Sequence, residues 1–251
     1  MKQFIRNVFA LILAMLLTAT LGCGEKKTIF NSQVVSDREG GTDNTGGGNG
    51  VGGKPFESYI EKDIESKPYF SDGVKPLIQK IAEVEPKLAA DFYHITLERL
   101  WYFVPTELEN ISSNILGSYG KHEQYALQDT NKVWINSIFF DKMSQSEQST
   151  LMIHEIVMGI RLLRYTNKQD QCIAKAARLL IGDSNRSAYR EQRRKCRRAF
   201  PITVGEAPRF KLDRGDYDLI RKLVSLLDRN QPDVEEVLSL MESTGFRKYE
   251  D

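Results

Sequence analysis

Hydrophobic residues along the chain fall into short runs, and one run is apolar on every face. Residues 151–163 contain nine apolar side chains among thirteen, distributed all round a helix. A helix of that kind lies inside a domain and not on its surface. Ser144 and Glu147, three residues apart just before the run, fit a capping box, so the sequence predicts that the helix begins there.

Weaker patterns on either side predict several more elements of both types. Helices are predicted at 74–83 and from Pro86 to about residue 100, because proline is tolerated in a first turn. Aromatic and β-branched runs bounded by turn residues predict strands at 101–104, 125–128 and 132–138, and the last two strands are predicted to be joined by a turn at residues 129–131, which begins with Asp129. Three more helices are predicted at 172–181, after a cap at Asp216, and from Pro232 to Gly245. Together these patterns predict one α+β domain at residues 55–251.

The first 54 residues have a different composition from that domain. Lys2 and Arg6 precede an apolar run at 8–17 that is too short to span a bilayer, which predicts a secretory signal peptide at 1–22. Eight glycines between Gly40 and Gly53 leave too little apolar surface to offset ordering. Residues 23–54 are therefore predicted to be a flexible tether, which would span on the order of 30 Å.

The end of the signal segment, TATLGC, resembles a bacterial lipoprotein signal, in which Cys23 becomes the lipidated N-terminus. Thr20 departs from that family, where an aliphatic residue is usual, and the alternative is an ordinary secretory signal cleaved nearby. Gly24 follows the cysteine, which by the same resemblance implies sorting to the outer membrane. The expected location is therefore the cell envelope, with the chain anchored through lipid on Cys23 and facing the periplasm or the cell surface.

The segment LMIHEIVMG in the predicted central helix resembles the active-site helix of the zincin metallopeptidases. In that family an HExxH motif presents two histidines one turn apart to zinc, and the glutamate is the general base. His154 and Glu155 match the motif, whereas Met158 stands where the second histidine would be. The upstream run VWINSIFFDKMSQSEQ resembles the edge strand and lead-in of the zincin fold. The resemblance covers residues 102–165 and implies a small, mostly antiparallel sheet packed on a buried central helix, with additional C-terminal helices.

Three interpretations of the His154–Glu155 pair remain open. In the leading one, Met158 fills the former metal space, no cofactor binds, and the domain is a pseudoenzyme that acts as a binding or structural module. In the second, the chain is a metal-dependent hydrolase, with His154 on zinc and Glu155 as the base. A thioether suits zinc poorly, so His94, His122 or distant carboxylates would have to complete the ligand set. In the third, the pair is a coincidence in a plain core helix.

The overall charge identifies no partner, but one local segment is strongly basic. Removing residues 1–22 takes away Lys2 and Arg6 and changes the formal charge from +1 to −1. Residues 186–198 carry seven Lys or Arg against one acid, Glu191. Such a basic patch attracts anionic lipid or an acidic partner, or is simply a solvated helix face, and nucleic acid is not expected. Its candidate residues are Arg190, Arg193, Arg194, Lys195, Arg197 and Arg198.

Three cysteines occur in the sequence, and their number predicts a disulfide. If Cys23 carries lipid, Cys172 and Cys196 remain as a pair. In an oxidising periplasm such a pair is expected to be bridged. The alternative is two unrelated buried cysteines.

Overall fold

The computed structural model describes residues 50–51, 53–106, 108, 125–181, 185–201 and 212–247. The predicted signal peptide, Cys23, most of the predicted tether and His122 lie outside these residues. Gly50–Val51 already pairs antiparallel with Lys54–Pro55, so paired backbone begins shortly before residue 55. Within the described residues, no helix has both the length and the apolar composition needed to cross a membrane.

The described chain is α+β and mostly helical. Single 3-10 turns and a π-helix at Tyr69–Val74 precede the first α-helix. The short strands β1 and β2 are the paired segments at Gly50–Val51 and Lys54–Pro55, and the larger sheet consists of β3 (Leu100–Val104), β4 (Ala126–Gln128) and β5 (Lys132–Asn136). The helices are α1 (Lys75–Val84), α2 (Pro86–Glu98), α3 (Ser137–Phe140), α4 (Gln145–Leu162), α5 (Lys168–Ala176), α6 (Arg186–Ala199), α7 (Arg214–Leu227) and α8 (Val234–Ser243).

The larger sheet is mixed and not mostly antiparallel as expected. Strand order is β3-β5-β4, with β5 parallel to β3 and antiparallel to β4. A two-strand hairpin needs only a tight turn, and Asp129 supplies it by accepting the backbone N–H groups of Asn131 and Lys132. The long connection after β3 permits a parallel return. The expectation that β5 is an edge strand is also wrong, because it lies between the other two and is buried from Val133 to Asn136.

Helix α4 begins as the sequence predicts and forms the centre of the main core. The Ser144 hydroxyl and the Glu147 carboxylate make the reciprocal bonds of a capping box. The helix packs against the π-helix, α2, α7 and strand β4. Gly159 is at its closest approach to α2: a Cβ there would lie 2.7 Å from Ile95 Cγ2 and 2.8 Å from Gln128 Nε2.

The two C-terminal helices dock on α4 through a buried ion pair as well as apolar contact. Arg161 Nε donates to Asp216 Oδ1 at 2.8 Å, and Arg161 Nη1 donates to the carbonyls of Gly245 and Phe246. The predicted cap at Asp216 is wrong by three residues. Asp213 is the cap of α7, and Asp216 is its capping-box partner, which leaves the Asp216 carboxylate able to reach Arg161.

The predicted disulfide is confirmed. Cys172 in α5 and Cys196 in α6 have their sulfurs 2.05 Å apart. Around it, Ile173, Ala177 and Tyr189 form a second, smaller core with residues of α2. The basic helix α6 is therefore attached to the rest of the domain by a covalent bond and by apolar packing.

Replacing both Cys172 and Cys196 with serine is expected to lower the free energy of unfolding by about 3 kcal/mol, because the cross-link restricts a loop of 24 residues in the unfolded chain. Denaturant unfolding measures the loss. Reducing agent should produce a similar loss in the wild type and none in the double variant. Two titratable thiols in denatured, periplasmically expressed wild type would contradict the prediction.

Replacing Gly159 with alanine is expected to lower the free energy of unfolding by about 1–2 kcal/mol. Overpacking against Ile95 and Gln128 costs about 1–3 kcal/mol, and the helix propensity of alanine offsets part of it. Gly215→Ala is the matched control, because a Cβ there meets only Asp213 Oδ1, at 3.2 Å. Equal effects of the two substitutions on the denaturant midpoint would show that α2 and α4 are less closely packed than described.

Candidate functional site

The residues that resemble a zinc motif lie on α4 at different depths. His154 is half-buried, with 26% of its side chain exposed, whereas Met158 is buried and belongs to the main core. The two residues share a face because they are one helical turn apart. The position of the second histidine is therefore filled by an apolar side chain in contact with other core residues.

Glu155 is buried, and its carboxylate is in contact with the neighbouring histidine. His154 Nδ1 lies 3.0 Å from Glu155 Oε1. The other oxygen, Oε2, is buried and has no hydrogen-bond partner among the described residues. Because a buried carboxylate is costly without partners, the contact with His154 is the interaction that stabilises Glu155 in this part of the structure. It also leaves Nε2 as the one ring nitrogen of His154 that this pair does not use.

A second buried polar side chain, Gln128, lies beside α4 one turn further along. The side chain is fully buried, its Nε2 lies next to Gly159, and neither of its polar atoms has a hydrogen-bond partner among the described residues. The sequence alone did not reveal Gln128 as a buried residue. A glutamine at the end of a three-residue strand has no pattern that distinguishes burial from exposure.

His94 lies in a different cluster from His154. Its Nε2 is 3.0 Å from Asp170 Oδ1, and Asp170 also accepts two hydrogen bonds from Arg99, at 3.0 and 2.9 Å. The cluster joins α2 to α5, and in it His94 is a buried histidine with a hydrogen-bond partner. Among the described residues, no group of three or more His, Cys, Asp or Glu side chains is arranged to hold a metal ion.

The Asp170 carboxylate is strongly stabilised in its charged form. Burial alone would raise its pKa, but the hydrogen bonds from His94 and Arg99 and the charge of Arg99 hold the pKa well below its usual range. Asp170 also lies in the first turn of α5, where Asn167 caps the helix by accepting the Asp170 backbone N–H. His94, Arg99 and Asp170 therefore attach helix α5 to helix α2.

The basic patch is partly neutralised by acids that are distant in sequence. Glu98, which is nearly buried, accepts the Tyr189 hydroxyl at 2.8 Å and lies 2.7 Å from Arg193 Nε and 3.5 Å from Arg197 Nη2. Arg193 forms this ion pair without an aligned Nε–H bond. Burial of Tyr189, together with the neighbouring Glu98 carboxylate, raises the pKa of the Tyr189 hydroxyl. Glu98 could not be identified from the sequence because it lies about ninety residues upstream.

A cleft of about 480 Å³ lies beside the N-terminal half of α4, and His154 does not line it. Its polar walls come from the π-helix, α1, α4 and the α7–α8 connection, and they include Asp72, Lys80, Gln145, Asp228 and Arg229. Several of these groups already have partners. Gln145 Nε2 donates to Asp72, Thr150 donates to Asp228, and Lys80 donates to the Asn230 carbonyl.

Comparisons with protein-family models, with curated proteins and with solved structures found no match. The class that the fold defines is an α+β protein with a helical body, a three-stranded mixed sheet and one disulfide. Its candidate site is the His154–Glu155 pair on a buried helix, with Met158 one turn later.

Replacing Asp170 with asparagine is expected to lower the free energy of unfolding at pH 7 by about 3 kcal/mol, because Arg99 then stays buried without its carboxylate. The folded-state pKa of Asp170 lies below its usual value of 3.8. Its contribution is therefore fully present above about pH 4 and is lost as the pH falls through the folded-state pKa.

Denaturant midpoints measured from pH 7 down to about pH 2.5 should fall more steeply for wild type than for Asp170→Asn. Asp218→Asn is the matched control, since its ion pair with Arg221 is exposed and is worth under about 1 kcal/mol. Parallel pH profiles for wild type and Asp170→Asn would mean that Asp170 titrates normally in the folded state.

Proposed function

We propose that the chain is a cell-envelope lipoprotein whose domain, residues 55–251, is a non-catalytic binding or structural module with a degenerate zincin-like helix. The observation that carries this proposal is the burial of Met158, with 6% exposure, in the main core at the position of the second zinc ligand. A flexible thioether fills irregular apolar space well, and it is a soft ligand with little preference for zinc. Met158 acts in this proposal as a core residue.

The contact between His154 and Glu155 supports the same proposal. A glutamate that serves as general base must reach a water held by the metal. Glu155 is 2% exposed, and one of its oxygens is already 3.0 Å from the His154 ring. In the proposed module, the pair persists because each residue is the other's hydrogen-bond partner at the edge of the core.

The disulfide supports the envelope location. Disulfides form and persist in oxidising compartments such as the periplasm and are rare in the cytosol. Cys172 and Cys196 are bridged, and Cys23 is the third cysteine of the sequence, at the position where the lipoprotein resemblance places the lipid. Lipid on Cys23 and a tether over residues 23–54 belong to this proposal, as does anchoring in the outer membrane.

One observation favours the alternative, a metal-dependent hydrolase acting on peptides. Glu155 Oε2 has no hydrogen-bond partner among the described residues. His154 is partly exposed, and its Nε2 takes no part in the contact with Glu155. In that alternative, His154 is a zinc ligand and Glu155 is the base. Burying a carboxylate oxygen without a partner is energetically unfavourable, and proteins retain such unfavourable groups mainly at functional sites.

Zinc analysis of the mature chain separates the two functions. The protein is incubated with excess zinc, dialysed and assayed for bound metal and for peptide hydrolysis. The module proposal predicts no stoichiometric zinc and no difference in bound metal between wild type and His154→Ala. About one equivalent of zinc that is lost in His154→Ala would contradict it, as would peptide hydrolysis that Glu155→Gln abolishes while the zinc is retained.

Met158→Leu is the matched control for the role of the thioether. It conserves the apolar volume, so the free energy of unfolding should change by less than about 1.5 kcal/mol. If Met158 is a core residue, the substitution leaves metal content unchanged. If its sulfur is a ligand, the substitution removes zinc from a chain that otherwise holds it.

A further inference from the structure

The structure divides the seven basic residues of α6 into two sets. Four of them pair with acids: Arg186 with Glu65, Arg193 and Arg197 with Glu98, and Lys195 with Glu191. The other three, Arg190, Arg194 and Arg198, are exposed and form no salt bridge with any residue that the structure describes. We call these three the arginine face.

The arginine face forms a stripe that winds gradually along one side of the helix. Residues four apart are neighbours on the helix surface, and eight residues at 1.5 Å each make the stripe about 12 Å long. The opposite side of α6 is fixed to the domain, because Tyr189 is buried against Glu98 and Cys196 is buried in the disulfide. The guanidinium groups of Arg190, Arg194 and Arg198 are therefore exposed on a side of the helix that packing among the described residues leaves uncovered.

Two exposed apolar side chains lie on segments next to this helix. Phe200, immediately after α6, is 39% exposed. Leu179, in the 3-10 turn Ala177–Leu180 that packs against α6, is 41% exposed. A cationic helix surface accompanied by exposed aromatic and aliphatic groups is typical of proteins that lie at a membrane interface.

We propose that the arginine face of α6 binds an anionic lipid bilayer and thereby orients the domain on the membrane that holds its tether. The stripe is extended and solvent-facing, so it suits a plane of phosphate headgroups better than a compact ligand. The formal charge without residues 1–22 is −1, so attraction to an anionic surface comes from this local stripe and not from the whole protein. The identity of the membrane rests on the envelope location proposed above, whereas the lipid binding itself does not.

The test uses residues 23–251 with Cys23→Ser, so that no lipid is attached and the result is independent of anchoring. Binding is measured by co-sedimentation with vesicles of phosphatidylcholine alone or with roughly one third phosphatidylglycerol. Each basic residue near an anionic surface strengthens binding about five-fold. Replacing Arg190, Arg194 and Arg198 with glutamine is therefore expected to weaken binding to the anionic vesicles about 100-fold and to leave the circular dichroism spectrum unchanged.

The matched control removes the same charge from another helix, with Arg214→Gln, Arg221→Gln and Lys222→Gln in α7, and it should bind the anionic vesicles as wild type does. Equal loss in the two triple variants, or equal wild-type binding to both kinds of vesicle, would overturn the proposal. A parallel arm measures binding to soluble poly-glutamate. If wild type binds poly-glutamate but not vesicles, and the arginine-face variant loses that binding, the partner is an acidic protein and the lipid proposal is wrong.

Discussion

The burial of the apolar part of α4 is the constraint on which the rest of the described fold depends. The run from residue 151 to the end of the helix is apolar on every face and must be covered, and the π-helix, α2, strand β4 and the C-terminal helix α7 each contact α4. Apolar burial at about 25 cal/mol per Å² makes this packing the main source of stability. Each polar group within α4 is then a local cost that needs a partner.

Those polar groups are satisfied to different degrees, and the difference separates structural from candidate functional residues. Arg161 has a carboxylate, two backbone carbonyls and an aromatic ring as partners, so its charge attaches the C-terminal helices to the core. Among the described residues, the Glu155 carboxylate has His154 as its one hydrogen-bond partner, and the Gln128 side chain beside α4 has none. Buried groups with few partners are expected where function has outweighed stability, which makes Glu155 and its surroundings a candidate functional site.

Sequence patterns were sufficient for features with a local cause. The capping box at Ser144, the hairpin turn at Asp129 and the pairing of the two remaining cysteines depend on neighbouring residues or on a simple count, and the structure confirms all three. The parallel pairing of β3 with β5 depends on where a long connection returns the chain, which no local pattern specifies. The wrong expectation of a mostly antiparallel sheet came from the zincin resemblance and not from the residues themselves.

The candidate sites show the same division between local and long-range causes. A run of basic residues identifies α6, but only the positions of Glu65 and Glu98 show which of its arginines are neutralised. Likewise, the residues around position 154 identify half a zinc motif, but the burial of Met158 and the contact between His154 and Glu155 are consequences of tertiary packing. The proposed function depends on these long-range features.

The proposed module rests on the claim that Met158 is a core residue at the position of a metal ligand and that His154 is the hydrogen-bond partner of Glu155. The most direct measurement is the nitrogen NMR spectrum of the His154 ring, recorded with and without zinc and assigned with His154→Ala. If the claim is correct, the Nδ1 and Nε2 resonances keep their shifts when one equivalent of zinc is added. A large, saturable shift of the His154 Nε2 resonance at one equivalent would show that this nitrogen binds the metal and would contradict the claim.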